Sequence, residues 1–194
     1  IAHVIFAMPL AIFLLHNFIV VAAETGMRPS ELFNLNWGHV EGLEEAIRKP
    51  IGKQHITIFA QGKGKGPQRL VPKRSAISGF ENLRNACKTQ FGSLPCADDP
   101  VFRNFYGKRL GCRNSSLNQL LDAAGLTYNG VGAKRSTYSF RHSYATWQLQ
   151  KKPPVDIYTL AINMRTRVEM IELWYSDVIP TDRAEILRGD DEWE

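Results

Sequence analysis

From Ile1 to Ala23 the chain carries no Lys, Arg, Asp or Glu. A stretch of about 20 apolar residues is long enough to cross a bilayer, so this opening limits what the chain can be. Three features count against a membrane span. Pro9 interrupts the run, His16 and Asn17 sit in its middle, and no basic cluster precedes it as in a signal peptide. The pattern instead predicts two buried helical pieces, the second starting near Pro9 and stopping at Gly26. Helices this apolar need a core around them. The chain has 194 residues, enough for one sizeable core, and its 44% apolar and 22% charged residues match globular averages. A membrane-anchored basic protein is the alternative this segment raises.

Net charge is +5, unevenly placed. After Tyr175 the tail holds seven acids against two bases, leaving 22 bases against 12 acids before it. A basic body with an acidic tail suggests a polyanion partner, nucleic acid first. A solvated basic surface explains the charge alone equally well. Cys87, Cys96 and Cys112 have no CxxC spacing, so neither a zinc site nor a disulfide framework is expected, and a reducing, cytoplasmic setting is.

No repeat, low-complexity run or long linker divides the chain, so residues 1–194 are expected to form one domain. Its first residue is Ile, which suggests a fragment or processed chain. Pro29-Ser30-Glu31-Leu32 restarts a helix. Asn36 to Val40 reads as a short strand. His55 to Ala60 alternates like a strand, Gly62-Lys63-Gly64-Lys65-Gly66-Pro67 is a basic turn, and Arg69-Leu70-Val71-Pro72 pairs back as a hairpin. Further helices are expected near 77–90, 114–124, 139–150, 154–163, 167–174 and 181–188. The fold class is mainly α with a small antiparallel sheet, an α+β arrangement.

Four segments could carry chemistry. Thr25-Gly26-Met27-Arg28-Pro29-Ser30-Glu31-Leu32 puts an arginine at a helix start, where it can face an anion, with Glu31 one turn later to hold it. By itself this is as well read as a surface Arg–Glu pair. Lys63 and Lys65 sit on a flexible glycine turn that lets the backbone approach a phosphate. Most such turns are merely solvated. Tyr138, Arg141 and His142 share one face of a helix or its approach, joining a bidentate clamp to a proton-transfer group. Phe140, Tyr144 and Trp147 can pack inward on the same helix. Lastly, Val168, Ile171 and Tyr175 keep helical spacing, which makes Tyr175 either a rim aromatic or a nucleophile needing activation.

In order and spacing these four blocks resemble the catalytic domain of a tyrosine recombinase of the phage-integrase family, from about Leu10 to Val178. The resemblance implies the catalytic-domain fold of DNA breaking-rejoining enzymes. A type IB topoisomerase has a similar site, but the compact length favours the integrase branch. Position by position, Arg28 and Arg141 match the arginines that grip the scissile phosphate, and Glu31 the acid that supports the first. Lys63 matches the hairpin general acid, with Lys65 as fallback. His142 matches the histidine after the second arginine, and Tyr175 the nucleophile. Tyr138 stands where the family has His three residues before the second arginine. Thr166 stands where it has His or Trp, after Arg165 at a place often held by Gly. On the same resemblance Lys65, Arg69, Lys134, Arg135, Arg165 and Arg167 are expected to contact DNA.

Phosphodiester transfer needs a nucleophile, charge on the non-bridging oxygens and a proton for the leaving oxygen. The chain offers arginines and a lysine rather than a carboxylate cluster, so no metal and no cofactor is expected. The implied step links Tyr175 to a 3′-phosphate and frees a 5′-hydroxyl. The implied partners are double-stranded DNA and three further copies on it, the isolated chain being monomeric, in a bacterial or phage-encoded setting without a membrane. The family's N-terminal core-binding domain is not expected in this chain, and residues 179–194 match a subunit-exchange tail. The alternative is a DNA-binding relic or accessory protein without turnover, which Tyr138 and Thr166 motivate.

Overall fold

The computed structural model describes residues 10–62, 65–111 and 115–175, together with Arg188. The chain divides into two compact units, Ile1–Tyr144 and Ala145–Glu194.

The first unit is built on α1 (Leu10–Thr25). Its buried positions are Phe13, Asn17, Phe18, Val21, Ala22 and Thr25, a stripe at helical spacing. The Asn17 carboxamide is satisfied inside this stripe. Its Nδ2 donates to the Phe13 carbonyl (2.8 Å), and its Oδ1 accepts from Asn82 Nδ2 (3.0 Å) on α4 (Ala76–Phe91). Gly79 lets α4 come close: a Cβ there would sit 2.9 Å from Val21 Cγ2. Phe18 stacks on Phe33 (centroids 5.2 Å apart) and meets Phe102 edge-on (5.1 Å). The apolar opening is therefore core-forming from Leu10 onward. Among the described residues no helix is long and apolar enough to cross a membrane. The piece before Pro9 lies outside them.

After α1 come α2 (Pro29–Phe33), strand β1 (Val40–Glu41), α3 (Leu43–Arg48), β2 (Thr57–Gly62) and β3 (Lys65–Leu70). The three strands form an antiparallel sheet in the order β1-β2-β3. Val40 pairs with Ile58, and Ile58, Phe59 and Ala60 pair with Leu70, Arg69 and Gln68. Ile56, Ile58, Ala60 and Leu70 are buried, and the expected alternation holds. The mainly α class with a small antiparallel sheet is the observed one.

Several local readings need correction. The expected strand over Asn36–Val40 is mostly a 3₁₀ turn, Trp37–His39. The N–H groups of Trp37 and Gly38 are taken by the Asp99 and Ala97 carbonyls (3.0 and 2.7 Å). His39 Nδ1 accepts from the Asn36 N–H (3.1 Å), which curls the chain. The returning strand runs over Lys65–Leu70 and stops before Val71 and Pro72; Pro72 has no N–H for a ladder, and the next N–H, that of Lys73, goes to the Glu24 carbonyl (2.8 Å). α3 was not read from the sequence; it buries only Leu43 and Ala46.

The other helices are α5 (Ser115–Ala123) and α6 (Thr137–Gln150), then α7 (Ile157–Met164) and α8 (Val168–Tyr175) in the second unit. Asp156 caps α7 by accepting from the Thr159 N–H (2.8 Å), which is why this helix starts after the prolines rather than at 154. Tyr144 is buried as expected, whereas Trp147 is 48% exposed, one turn further along α6. The helix expected at 181–188 lies outside the described residues apart from Arg188. Cys87 and Cys96 are free thiols, and Cys112 is not among the described residues.

Phe18 contacts two aromatic partners at once. Phe18→Ala is expected to destabilise the chain by about 3–5 kcal/mol, measured by urea unfolding. A loss under 1 kcal/mol would mean this core is not organised around Phe18.

Candidate functional site

α1 stops at Thr25 because Gly26 takes φ +64°, a left-handed conformation that favours glycine. Two residues on, Arg28 sits in extended backbone as the cap of α2, with Pro29 opening that helix. Glu31 then holds Arg28 twice. Its Oε2 accepts from the Arg28 backbone N–H (2.9 Å), and its Oε1 accepts from Arg28 Nη1 (3.0 Å). The Glu31 side chain is 3% exposed and that of Arg28 is 37% exposed. The carboxylate is a buried support, and the guanidinium it orients still reaches solvent.

Arg141, in the second turn of α6, is 2% exposed. Its Nη1 donates to the Gly26 carbonyl at 2.5 Å, across 115 positions of sequence. Tyr144, three residues along the helix and 1% exposed, lays its ring on Gly26. A Cβ on Gly26 would be 2.4 Å from Tyr144 Cδ1. The turn that carries Arg28 is thus pinned to α6 from two sides, and the first and third sequence blocks meet.

On the same helix the rings of Tyr138 and His142 lie 5.1 Å apart, tilted at 60°. Tyr138 is 42% exposed. Burial, and then the Arg141 charge, push the His142 imidazole below its ordinary value of 6.5. Both effects disfavour the cation, so His142 is mainly a neutral imidazole at pH 7.

The hairpin brings other candidates near the surface. Arg69 is exposed and lies over the Phe59 ring (5.0 Å to the centroid). Lys63 lies outside the described residues, as does the Lys65 side chain; the Lys65 backbone opens β3 opposite Gly62. Lys134 is exposed and bridges to Tyr128. Arg135 instead turns into its own loop, where Nη1 donates to the Leu126 (2.9 Å) and Tyr128 carbonyls.

In the second unit, Arg165 ends α7 at φ 55°, ψ 48°, and is 7% exposed. The position is left-handed, a conformation in which a glycine would be unstrained. Arginine adopts it at a cost of roughly 1–2 kcal/mol. The Arg165 and Thr166 N–H groups cap the Ile162 and Ala161 carbonyls (both 2.9 Å). Thr166 is half-buried in this turn and Arg167 is exposed. The Arg167 carbonyl starts α8 by accepting from the Met170 N–H (3.1 Å). Ile171 is fully buried on that helix. Tyr175 is its last residue, and the Tyr175 side chain is not among those described.

Sequence reasoning missed Glu24. Its carboxylate pairs with Lys73 Nζ (3.0 Å) and accepts from Ser75 Oγ, fastening the root of β3 beside the Gly26 turn. Nothing local marks it, because its partners lie about 50 residues away. Among the described residues no group of three His, Cys, Asp or Glu could hold a metal ion.

No protein-family model matches the chain, and no curated protein sequence does. Solved structures do. XerA recombinase aligns over 94% of this chain and 60% of its own at 18% identity, with a TM-score of 0.58. XerH site-specific recombinase, bound to palindromic difH substrate in a post-cleavage complex, aligns over 91% of this chain and 45% of its own (19% identity, TM-score 0.62). The Tn1549 transposon integrase, in complex with transposon right end DNA, aligns over 90% and 58% (16% identity, TM-score 0.56). The chain spans about half the length of these proteins. It has the recombinase catalytic-domain fold that its sequence blocks resemble.

Two outcomes follow from this geometry. Gly26→Ala adds left-handed strain and a clash with a buried ring, so it is expected to cost about 2–4 kcal/mol in urea unfolding; a neutral effect would mean that Tyr144 does not pin the turn. The His142 imidazole, followed by NMR, is expected to titrate below 6.5. Its depressed value adds stability that is present above pH 6.5 and lost as pH falls through the folded value. A titration at or above 6.5 would contradict the burial described.

Proposed function

We propose that the chain is the catalytic part of a tyrosine-type site-specific recombinase, cutting and rejoining DNA strands through a 3′-phosphotyrosyl link. The observation that carries this reading is the Arg141–Gly26 bond. It joins the two arginine blocks, far apart in sequence, into one cationic corner within a recombinase fold.

In this reading Arg28 and Arg141 take the non-bridging oxygens of the scissile phosphate. Glu31 keeps the Arg28 fork oriented, so little reorganisation is needed as charge builds up. The Tyr175 Oη attacks phosphorus and the 5′-oxygen leaves. Lys63, or Lys65 in its place, donates the leaving oxygen's proton. His142, held neutral, can accept the nucleophile's proton, and the Tyr138 and Thr166 hydroxyls supply neutral hydrogen bonds where an imidazole would be stronger. A 5′-hydroxyl from another strand reverses the step. The partner is double-stranded DNA, with four copies assembling on two duplexes. Support comes from the solved relatives, of which XerH and the Tn1549 integrase are bound to DNA. The rest of such a protein would close the DNA clamp from the other side.

The experiment uses a pool of nicked duplexes of randomised sequence, from which the short strand beyond the cut diffuses away and traps the covalent complex. The parent is expected to give a protein–DNA adduct that survives denaturant. Tyr175→Phe is expected to give none, while binding stays within a few fold. Arg28→Ala and Arg141→Ala are each expected to slow adduct formation by ~10²-fold or more. An undiminished adduct with Tyr175→Phe overturns the nucleophile. A parent that binds the pool without ever forming an adduct establishes the accessory, binding-only reading instead.

A further inference from the structure

Basic charge is concentrated in one part of the chain. Between Val101 and Val155 there are nine Lys and Arg residues and a single acid, Asp122. Within this segment the same small loop is built twice. In Asn104-Phe105-Tyr106-Gly107-Lys108, Asn104 Oδ1 accepts from the N–H groups of Tyr106 and Lys108 (both 3.0 Å). The Asn104 N–H donates to the Lys108 carbonyl (2.8 Å). In Asn129-Gly130-Val131-Gly132-Ala133, Asn129 Oδ1 accepts from Val131 (3.1 Å) and Ala133 (2.7 Å). The Asn129 N–H donates to the Ala133 carbonyl (2.9 Å). The fourth residue of each is a left-handed glycine, Gly107 at φ 75° and Gly132 at φ 80°. Each loop closes on a single antiparallel bridge, Arg103 with Arg109 and Tyr128 with Lys134.

Both loops are also held at the base by an arginine that donates to nearby carbonyls. Arg109 donates to the Phe33 carbonyl (2.8 Å) and to Asn36 Oδ1 (2.5 Å), and Arg135 to the Leu126 and Tyr128 carbonyls. Gln90 Nε2 adds a bond to the Phe105 carbonyl (2.7 Å). What this bracing presents is apolar. The third residue of each loop, Tyr106 at 82% and Val131 at 88%, is more exposed than any other large hydrophobic among the described residues. Each is followed by an exposed lysine, Lys108 or Lys134.

A rigid apolar tip beside a cation loses little conformational freedom on binding. Apolar side chains seated against sugars or between base steps, with lysines on the flanking phosphates, are a known way to grip a duplex groove. We propose that these two loops are DNA-contact elements, in which Tyr106 and Val131 press into a groove while Lys108 and Lys134 meet adjacent phosphates. The exposed Lys108 and Lys134 beside these tips favour DNA over a protein partner, because protein interfaces disfavour lysine. The proposal rests on the recombinase reading for the kind of polyanion, but not on turnover.

The test measures binding of the full chain to a 30-base-pair duplex by fluorescence anisotropy at several salt concentrations, with melting temperature as the fold control. Tyr106→Ser with Val131→Ser is expected to weaken binding roughly tenfold with the salt slope and melting temperature unchanged. Tyr106→Phe is expected to bind like the parent. Lys108→Gln and Lys134→Gln are each expected to lower the salt slope by about 1. Tip variants that bind within twofold of the parent overturn this proposal alone, even where the parent forms its Tyr175 adduct. A parent that binds no duplex overturns both this proposal and the recombinase reading.

Discussion

A guanidinium that is 2% exposed must find acceptors inside the protein, since leaving a charged donor unpaired there costs several kcal/mol. Arg141 finds one in the Gly26 carbonyl, and that requirement organises the first unit. To present the carbonyl, α1 has to end at Thr25 and turn left-handed at Gly26. To bring it within reach, α6 has to press Tyr144 onto that glycine, which only the absence of a Cβ allows. Arg28, two residues later, then takes a position it could not hold alone.

Other polar contacts of this unit also tie its elements together. Asn17 and Asn82 tie α1 to α4 within a largely apolar stripe. Glu24 fixes Lys73 and Ser75 at the root of the hairpin. Glu31 satisfies both the backbone and the side chain of Arg28. Apolar packing tolerates sliding, whereas a paired buried polar group holds one register, since any shift leaves a donor or acceptor stranded. Around them packs the apolar core that includes Phe18, Phe33 and Phe102.

The second unit carries a different constraint. Arg165 holds a left-handed conformation at the end of α7, where a glycine would be unstrained. That strain sits in the turn bearing Thr166, one step before the helix that ends in Tyr175. Such strain persists when its surroundings over-determine the backbone, and here the carbonyls of Ala161 and Ile162 are capped by the turn's own N–H groups.

Much of this was written in the sequence. The left-handed glycine after an apolar helix, the Arg28–Glu31 spacing, the β2–β3 alternation and the Tyr138–His142 spacing are all short-range patterns. Backbone geometry and helical periodicity suffice to read them. Local reading erred where distant partners intervened. Asn36–Val40 looked like a strand until Ala97 and Asp99 claimed its N–H groups, and Trp147 looked buried on periodicity alone. Glu24 had no local mark at all, and nothing in the spacing of residues 26 and 141 says that one bonds the other. The sequence by itself determined the α+β class, the apolar core helix and the kinds of side chain in the candidate site. Only the tertiary structure decided which of them meet, because a buried donor's choice of acceptor depends on what the whole fold brings within about 3 Å of it.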